Sequence, residues 1–193
     1  MRLFDFQHLD RTGWVRKGVT KPETVAGHMY RMAIMSAFLV DDASLDMNKC
    51  IRMSIVHDIG ESIIGDITPN DGVDDAYKNK IETEAVEKLA GLVKSKSADE
   101  IRQLFQHDNR ILHFSCRQEY EEGKTKEAKL VKDLDRFDMV LQAYEYEQME
   151  GKPEFLQEFF DSTKEKLADS HPKVKGMLLE LYKARENNVA FTI

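Results

Sequence analysis

Ile55-Val56-His57-Asp58-Ile59-Gly60-Glu61, continued by Ser62-Ile63-Ile64-Gly65-Asp66-Ile67, decides how this chain is read. Four ionisable groups, His57, Asp58, Glu61 and Asp66, fall within ten residues of otherwise apolar sequence. Burying such groups is costly unless something pairs with them. A divalent cation is a natural partner, because it turns buried imidazole and carboxylate from a penalty into a bond. Two further candidate ligands, His28 and Asp135, stand far away in sequence and complete a His, His-Asp, Asp set.

Working outward, the surrounding segments carry helical periodicity. His28, Met32, Met35 and Leu39 recur at i, i+4, i+7 and i+11, so His28 is expected on an apolar helix face. Thr20-Lys21-Pro22-Glu23 has the form of a capping box and predicts where that helix starts. Asp46 is expected to cap the next helix, in which Cys50, Ser54 and His57 share a face. Gly60 and Gly65 loosen the chain, and Thr68-Pro69-Asn70-Asp71-Gly72 reads as a loop. Ile81, Ala85, Leu89 and Leu92 predict a helix over 75–93, and Ile101, Leu104, Phe105 and Leu112 another before Glu122. Residues 126–149 form a long periodic run with Leu130, Leu134, Phe137 and Leu141 as its buried stripe. Segments 155–167 and 174–182 complete the set. No segment alternates with a strand's period, so one all-α domain is expected over 1–193, with its core at about 9–183 and a frayed tail from about Glu186.

Composition narrows the function. At 193 residues, 41% hydrophobic and 33% charged, the chain is an ordinary globular one able to bury a sizeable core. Its longest nearly apolar run, Ala33 to Val40, is too short to span a bilayer. The start, with Asp5 and Asp10, lacks the features of a secretory signal. Cys50 and Cys116 are the only cysteines, which implies no disulfide framework and suits a reducing, cytoplasmic setting. A net charge of −7 without a basic run argues against a nucleic-acid polymer as partner. A small phosphorylated ligand stays open, because an ion and a few basic side chains supply local positive charge.

Each candidate ligand alone has a plainer reading. His28 is also what a hydrogen-bonded core histidine looks like, and Asp58 suits a solvated helix end. Asp135 and Asp138 line up with Val131 beside the apolar stripe, where Arg136 or Lys132 would serve as ion-pair partners. Cys50 reads as a small core hydrophobe. The combination is stronger than its parts. His57 and Glu61 are four apart, so Glu61 lies over the same ion if the helix continues another turn. A divalent ion lowers the pKa of a bound water, and a nearby carboxylate orients or deprotonates it. Asp66, after a flexible Gly, is placed to touch that water network, hold a second ion or support the leaving group. The mixed nitrogen and oxygen set suits Mn, Fe, Co, Ni, Mg or Zn, and ligand type alone does not choose among them.

The ordered set is similar to the HD-domain superfamily of metal-dependent phosphohydrolases. The wording resembles the HD-domain 5′-deoxynucleotidases more closely still. The matching runs are Arg11-Thr12-Gly13-Trp14, Pro22-Glu23-Thr24-Val25 leading to His28-Met29-Tyr30-Arg31-Met32, His57 to Glu61, Gly65-Asp66-Ile67, Val131-Lys132-Asp133-Leu134-Asp135, and Leu141 to Glu147. They extend from about residue 9 to residue 163. The resemblance implies a helical bundle with the metal site between core helices, forming a homodimer. It implies hydrolysis of deoxyribonucleoside 5′-monophosphates to deoxynucleoside and phosphate. The family's metal ligands fall on His28, His57, Asp58 and Asp135, and its functional acidic pair on Glu61 and Asp66. Relatives hold a second ion at that pair, with the Ile67 carbonyl as a further ligand. The family's substrate-pocket Trp falls on Trp14, the only Trp here. One departure matters: a bacterial branch carries a phosphate-binding Arg immediately before that Trp, where this chain has Gly13. Arg11, Arg16 and Lys17 are the candidates to substitute for it.

Rival readings make distinct demands. Phosphodiester or pyrophosphate hydrolysis would use the same ligands. Di-iron oxygenation needs extra His ligands, and His8, His107, His113 and His171 sit in no metal-like spacing. A metal-stabilised interaction domain has no use for Glu61 and Asp66 beside the ligands, so their presence favours catalysis. Discriminating deoxyribose from ribose needs a wall against the 2′-hydroxyl, since an apolar pocket alone rejects an added hydroxyl only about 10²-fold.

Overall fold

The computed structural model describes residues 7–39, 41–92 and 115–191. Among these residues the chain is all-α, with one isolated antiparallel bridge between Asp10 and Thr24. The expected helix around Ile101 to Leu112, with His107 and His113, lies outside the described residues.

The helices are α1 (Thr12–Arg16), α2 (Val25–Phe38), α3 (Met47–Val56), α4 (Glu61–Ile64), α5 (Asp75–Leu92), α6 (Ser115–Glu122), α7 (Lys126–Glu150), α8 (Gln157–Lys164) and α9 (Pro172–Glu186). The long α7 is the axis of the molecule, contacted by α2, α3, α6, α8 and α9. Its predicted stripe of Leu130, Leu134, Phe137 and Leu141 is buried, joined by Val131, Val140 and Ala143. Full burial of such a side chain stabilises the fold by roughly 1.5–3 kcal/mol.

Local sequence explains most boundaries. Asp46 caps α3 by accepting from the Lys49 N–H at 3.0 Å, and Thr125 caps α7. Gly151, at φ 61°, ends α7 in a left-handed turn that a glycine adopts without strain. The expected start of α2 is corrected. The cap is Thr24, whose hydroxyl accepts from Gly27 N–H at 3.1 Å, rather than Thr20. The reason is competition from pairing: Arg11 N–H donates to the Glu23 carbonyl at 3.0 Å and Val25 N–H to the Leu9 carbonyl at 2.8 Å. These bonds hold the preceding residues extended until Val25.

Helix α3 does not run on through Glu61. It ends at Val56, with His57 at its C-cap, and a short turn leads into the single-turn α4. Gly65, at φ 82°, then turns the chain so that Asp66 meets α1. There its carboxylate accepts from Thr12 N–H at 2.6 Å and its carbonyl from the Thr12 hydroxyl at 2.8 Å. Past Glu186, where fraying is expected, the Tyr144 hydroxyl donates to the Val189 carbonyl and Phe191 packs on the core.

Candidate metal centre and active site

Three helices bring His28, His57, Asp58 and Asp135 to one place. His28 projects from α2, fully buried, on the face it shares with Met32 and Met35. His57 and Asp58 sit where α3 stops, and Asp135 lies midway along α7. Ligand atoms of His28, His57 and Asp58 all lie within 4.8 Å of one another. Asp135 Oδ1 is 3.2 Å from His28 Nε2, and Asp58 Oδ2 is 3.2 Å from His57 Nε2.

The tautomers follow from the partners. His28 Nδ1 faces the Asp138 carboxylate at 2.7 Å and His57 Nδ1 the Ser54 carbonyl at 2.9 Å. Both partners only accept, so each Nδ1 carries a hydrogen and donates. The two Nε2 atoms are buried and make no hydrogen bond, as is one Glu61 oxygen, Oε2. Orphaned buried acceptors beside carboxylates are what a divalent cation satisfies, so the donor set fits one. The chemistry of imidazole and carboxylate together is consistent with a divalent ion and does not single out which.

Charge at the cluster points the same way. Burial and Arg11 pull the His28 pKa down, but Asp135 and Asp138 overcome them and raise it to about 9. Against the penalty of burial, His57 and Arg11 hold Asp58 down at about 2. Asp135 is likewise held well below its ordinary value despite burial, through His28. Glu61 goes the other way, pushed up to about 10 by burial and then by the Asp58 and Asp66 charges. Asp58 and Asp135 thus keep their charge beside His28 and Arg11, while Glu61 holds its proton.

The cluster opens on a cavity of about 820 Å³. Arg11, Trp14, Arg16, Lys17, His57, Asp58, Glu61, Asp66, Ile67 and Asp135 all line it, while His28 is buried behind it. Trp14 is 2% exposed and belongs as much to the core as to the wall. Its ring packs on Phe159 at 4.5 Å and Tyr146 at 5.4 Å, and its Nε1 donates to Glu23 at 3.1 Å. The basic residues differ in their engagements. Arg11 reaches the cluster, 3.3 Å from Asp58. Arg16 is tied to Asp71 and to Thr68, and Lys17 to Glu158 at 2.7 Å.

Several lining residues escaped the sequence reading. Tyr120 donates its hydroxyl to Asp135 at 2.8 Å and is pushed well above its ordinary pKa, by burial first. Lys78, from α5, donates to the Ile67 carbonyl at 2.7 Å, and Asn79 and Phe159 also line the cavity. No local pattern marks these positions. The ion-pair alternative for Asp135 is not realised: Arg136 pairs with Asp133, and Lys132 donates to the Glu121 carbonyl at 2.8 Å. Asp138 does have a guanidinium partner, but it is Arg31 of α2.

A protein named 5′-deoxynucleotidase HDDC2 from Danio rerio is 41% identical over 184 residues, covering 95% of this chain and 84% of that protein. Its namesake from Homo sapiens is 39% identical over 184 residues, 95% of this chain and 83% of the other. The crystal structure of the PH0347 protein from Pyrococcus horikoshii superimposes with a TM-score of 0.69 at 30% identity, covering 92% of this chain and 93% of that one. A family model described as HD domain matches residues 5–175, and the chain belongs to the HD-domain family.

Proposed function

We propose that this protein is a metal-dependent 5′-deoxynucleotidase, hydrolysing deoxyribonucleoside 5′-monophosphates to deoxynucleoside and phosphate. The observation that carries the reading is the pair of unbonded imidazole nitrogens facing two carboxylates beside a cavity lined by basic, acidic and apolar side chains. The names of the relatives at about 40% identity support the substrate class. His28, His57, Asp58 and Asp135 would hold the principal ion and Glu61 and Asp66 a second, with the Ile67 carbonyl joining them only where the Lys78 ammonium, now 2.7 Å from it, gives way. Such an ion supplies Lewis acidity toward a phosphate oxygen and makes water a better nucleophile at neutral pH. Mn, Co or Mg is the expected occupant.

The chain's own residues divide the rest of the work. Glu61, whose buried Oε2 makes no hydrogen bond, would orient the attacking water and take its proton once a bound cation offsets the Asp58 and Asp66 charges that keep it protonated. Arg11 binds the phosphate, because its guanidinium is the one that reaches the cluster. Arg16 and Lys17 balance charge farther out. Asp66 holds the α1 start, and with it Arg11 and Trp14, against the chain that follows α4. Trp14, backed by Phe159, walls the sugar side and acts on discrimination more than on the chemical step.

The polypeptide acts as one HD domain in the cytoplasm, with no nucleic-acid polymer or membrane as partner. Among the described residues no helix is long and apolar enough to cross a membrane. A homodimer is the proposed assembly, supported by an apolar face of α2 where Tyr30, Ile34 and Phe38 are exposed at i, i+4 and i+8. Association of two copies that each carry −7 needs such a face.

Phosphate release from a panel of deoxy- and ribonucleotides, metal by metal, tests the reading. Deoxyribonucleoside 5′-monophosphates should be cleaved, with 3′-monophosphates and ribonucleotides poor substrates. Glu61→Gln should keep its principal ion and lose about 10²–10⁴-fold in kcat. Intact monophosphates with every metal would refute the activity, and cleavage of diesters with monophosphates accumulating would favour the phosphodiesterase alternative.

A further inference from the structure

A chain of ionic hydrogen bonds, outside the proposed ligand set, connects the wall of the cavity to the cluster. Trp14 Nε1 donates to one oxygen of Glu23 at 3.1 Å, and Arg31 Nη2 donates to the other at 2.6 Å. The same Nη2 donates to Asp138 Oδ2 at 2.6 Å, and Arg31 Nε donates to Oδ1. Asp138 Oδ2 in turn accepts from His28 Nδ1 at 2.7 Å. The Asp138 side chain is fully buried and that of Glu23 is 11% exposed. Glu23, His28 and Asp138 by themselves would pass for a second cation site. The Arg31 guanidinium already stands among them, so that charge is met from within the chain.

We propose that Arg31 joins two positioning contacts into one unit, Asp138 setting the His28 ring and Glu23 the Trp14 indole. A carboxylate only accepts, so Asp138 obliges Nδ1 to keep its hydrogen and leaves Nε2, which faces Asp58 and Asp135, as the nitrogen that a metal would take in place of a proton. Glu23 fixes the indole edge through its other partner. Arg31 is the shared member: its planar fork spans both carboxylates, which a lysine's single ammonium does not reproduce. The i, i+3 pairs His28 and Arg31 on α2, and Asp135 and Asp138 on α7, put the donors and acceptors in register where those helices cross. The inference rests on the proposed function, in which His28 holds the ion and Trp14 walls the substrate.

The test uses full-length protein freed of metal, with Mn²⁺ binding followed by calorimetry and Trp14 emission recorded in its absence. Trp14 is the only tryptophan, so the emission reports that indole alone. Asp138→Asn should weaken Mn²⁺ binding roughly 10–100-fold and leave the emission unchanged. Glu23→Gln should shift the emission and raise KM with kcat held, at unchanged Mn²⁺ affinity. Arg31→Lys, which keeps the charge, should do both. An Arg31→Lys protein with wild-type Mn²⁺ affinity and wild-type emission overturns the proposal, and it decides the matter even if Asp138→Asn fails to fold. An effect of Arg31→Lys on only one readout also overturns it, since the unit would then be two separate contacts. Wild-type protein that binds Mn²⁺ yet cleaves no monophosphate refutes the activity and leaves this comparison valid. Wild-type protein that binds no Mn²⁺ overturns both.

Discussion

Asp135 shows how much a single side chain carries here. One of its oxygens faces His28 Nε2 at 3.2 Å, while the other accepts from Tyr120, so α2, α6 and α7 meet at one carboxylate. Asp135→Ala should therefore lose the divalent ion and, with it, the stabilisation that the ion adds. An ion bound only by the folded state at a hundred times its Kd contributes about 2.7 kcal/mol. Metal content and thermal midpoint, measured with and without Mn²⁺, check this. The wild-type midpoint should rise with Mn²⁺ and the variant's should not, and a variant that keeps its ion would overturn the assignment. The candidates themselves were legible as residue types at suggestive spacing. Their partners were not, because an Asp near an apolar stripe looks the same whether a Lys, a Tyr or a His faces it from another helix.

At the scale of the helices, the clasp between α7 and α9 is the clearest case of sequence-distant ion pairing. Glu147 accepts from Arg185 Nε at 2.7 Å and Nη2 at 3.0 Å, and from the Leu156 N–H at 3.1 Å. The guanidinium also stacks on Phe160, 3.7 Å from the ring centroid. Glu147→Ala leaves a half-buried cation and a buried N–H without their acceptor, and should destabilise the fold by about 3 kcal/mol. Denaturant unfolding should show a lower midpoint, while Mn²⁺ affinity stays as in wild type because α9 lines no part of the described cavity. Unchanged unfolding would assign the clasp no role. The long helix α7 and the α3 cap at Asp46 were legible because periodicity and capping are properties of neighbouring residues. The α2 start was misread because Thr20 has the right neighbours for a cap, yet the pairing of residues 9–11 with 23–25 forestalls the helix.

The molecule as a whole exposes Phe38 at 79% and Tyr30 at 69% on the outward side of α2. If that face joins two copies, Phe38→Glu should convert the dimer to monomer in analytical ultracentrifugation and leave Mn²⁺ affinity intact. A wild-type protein that sediments as a monomer would overturn the homodimer. By itself, the sequence determined the all-α class, the helix that holds the core and the side chains able to bind a divalent ion. Those are carried by composition and by spacings of a few residues, which chain geometry converts directly into faces and caps. Only the tertiary structure decided that Asp138 and Arg31 stand behind His28, that Arg11 rather than Arg16 or Lys17 reaches Asp58, and that Lys78 closes the far wall. The Arg31–Asp138 and Arg11–Asp58 contacts join residues tens of positions apart and Lys78 reaches back eleven to Ile67, so each exists only because the packed helices fix where those residues lie.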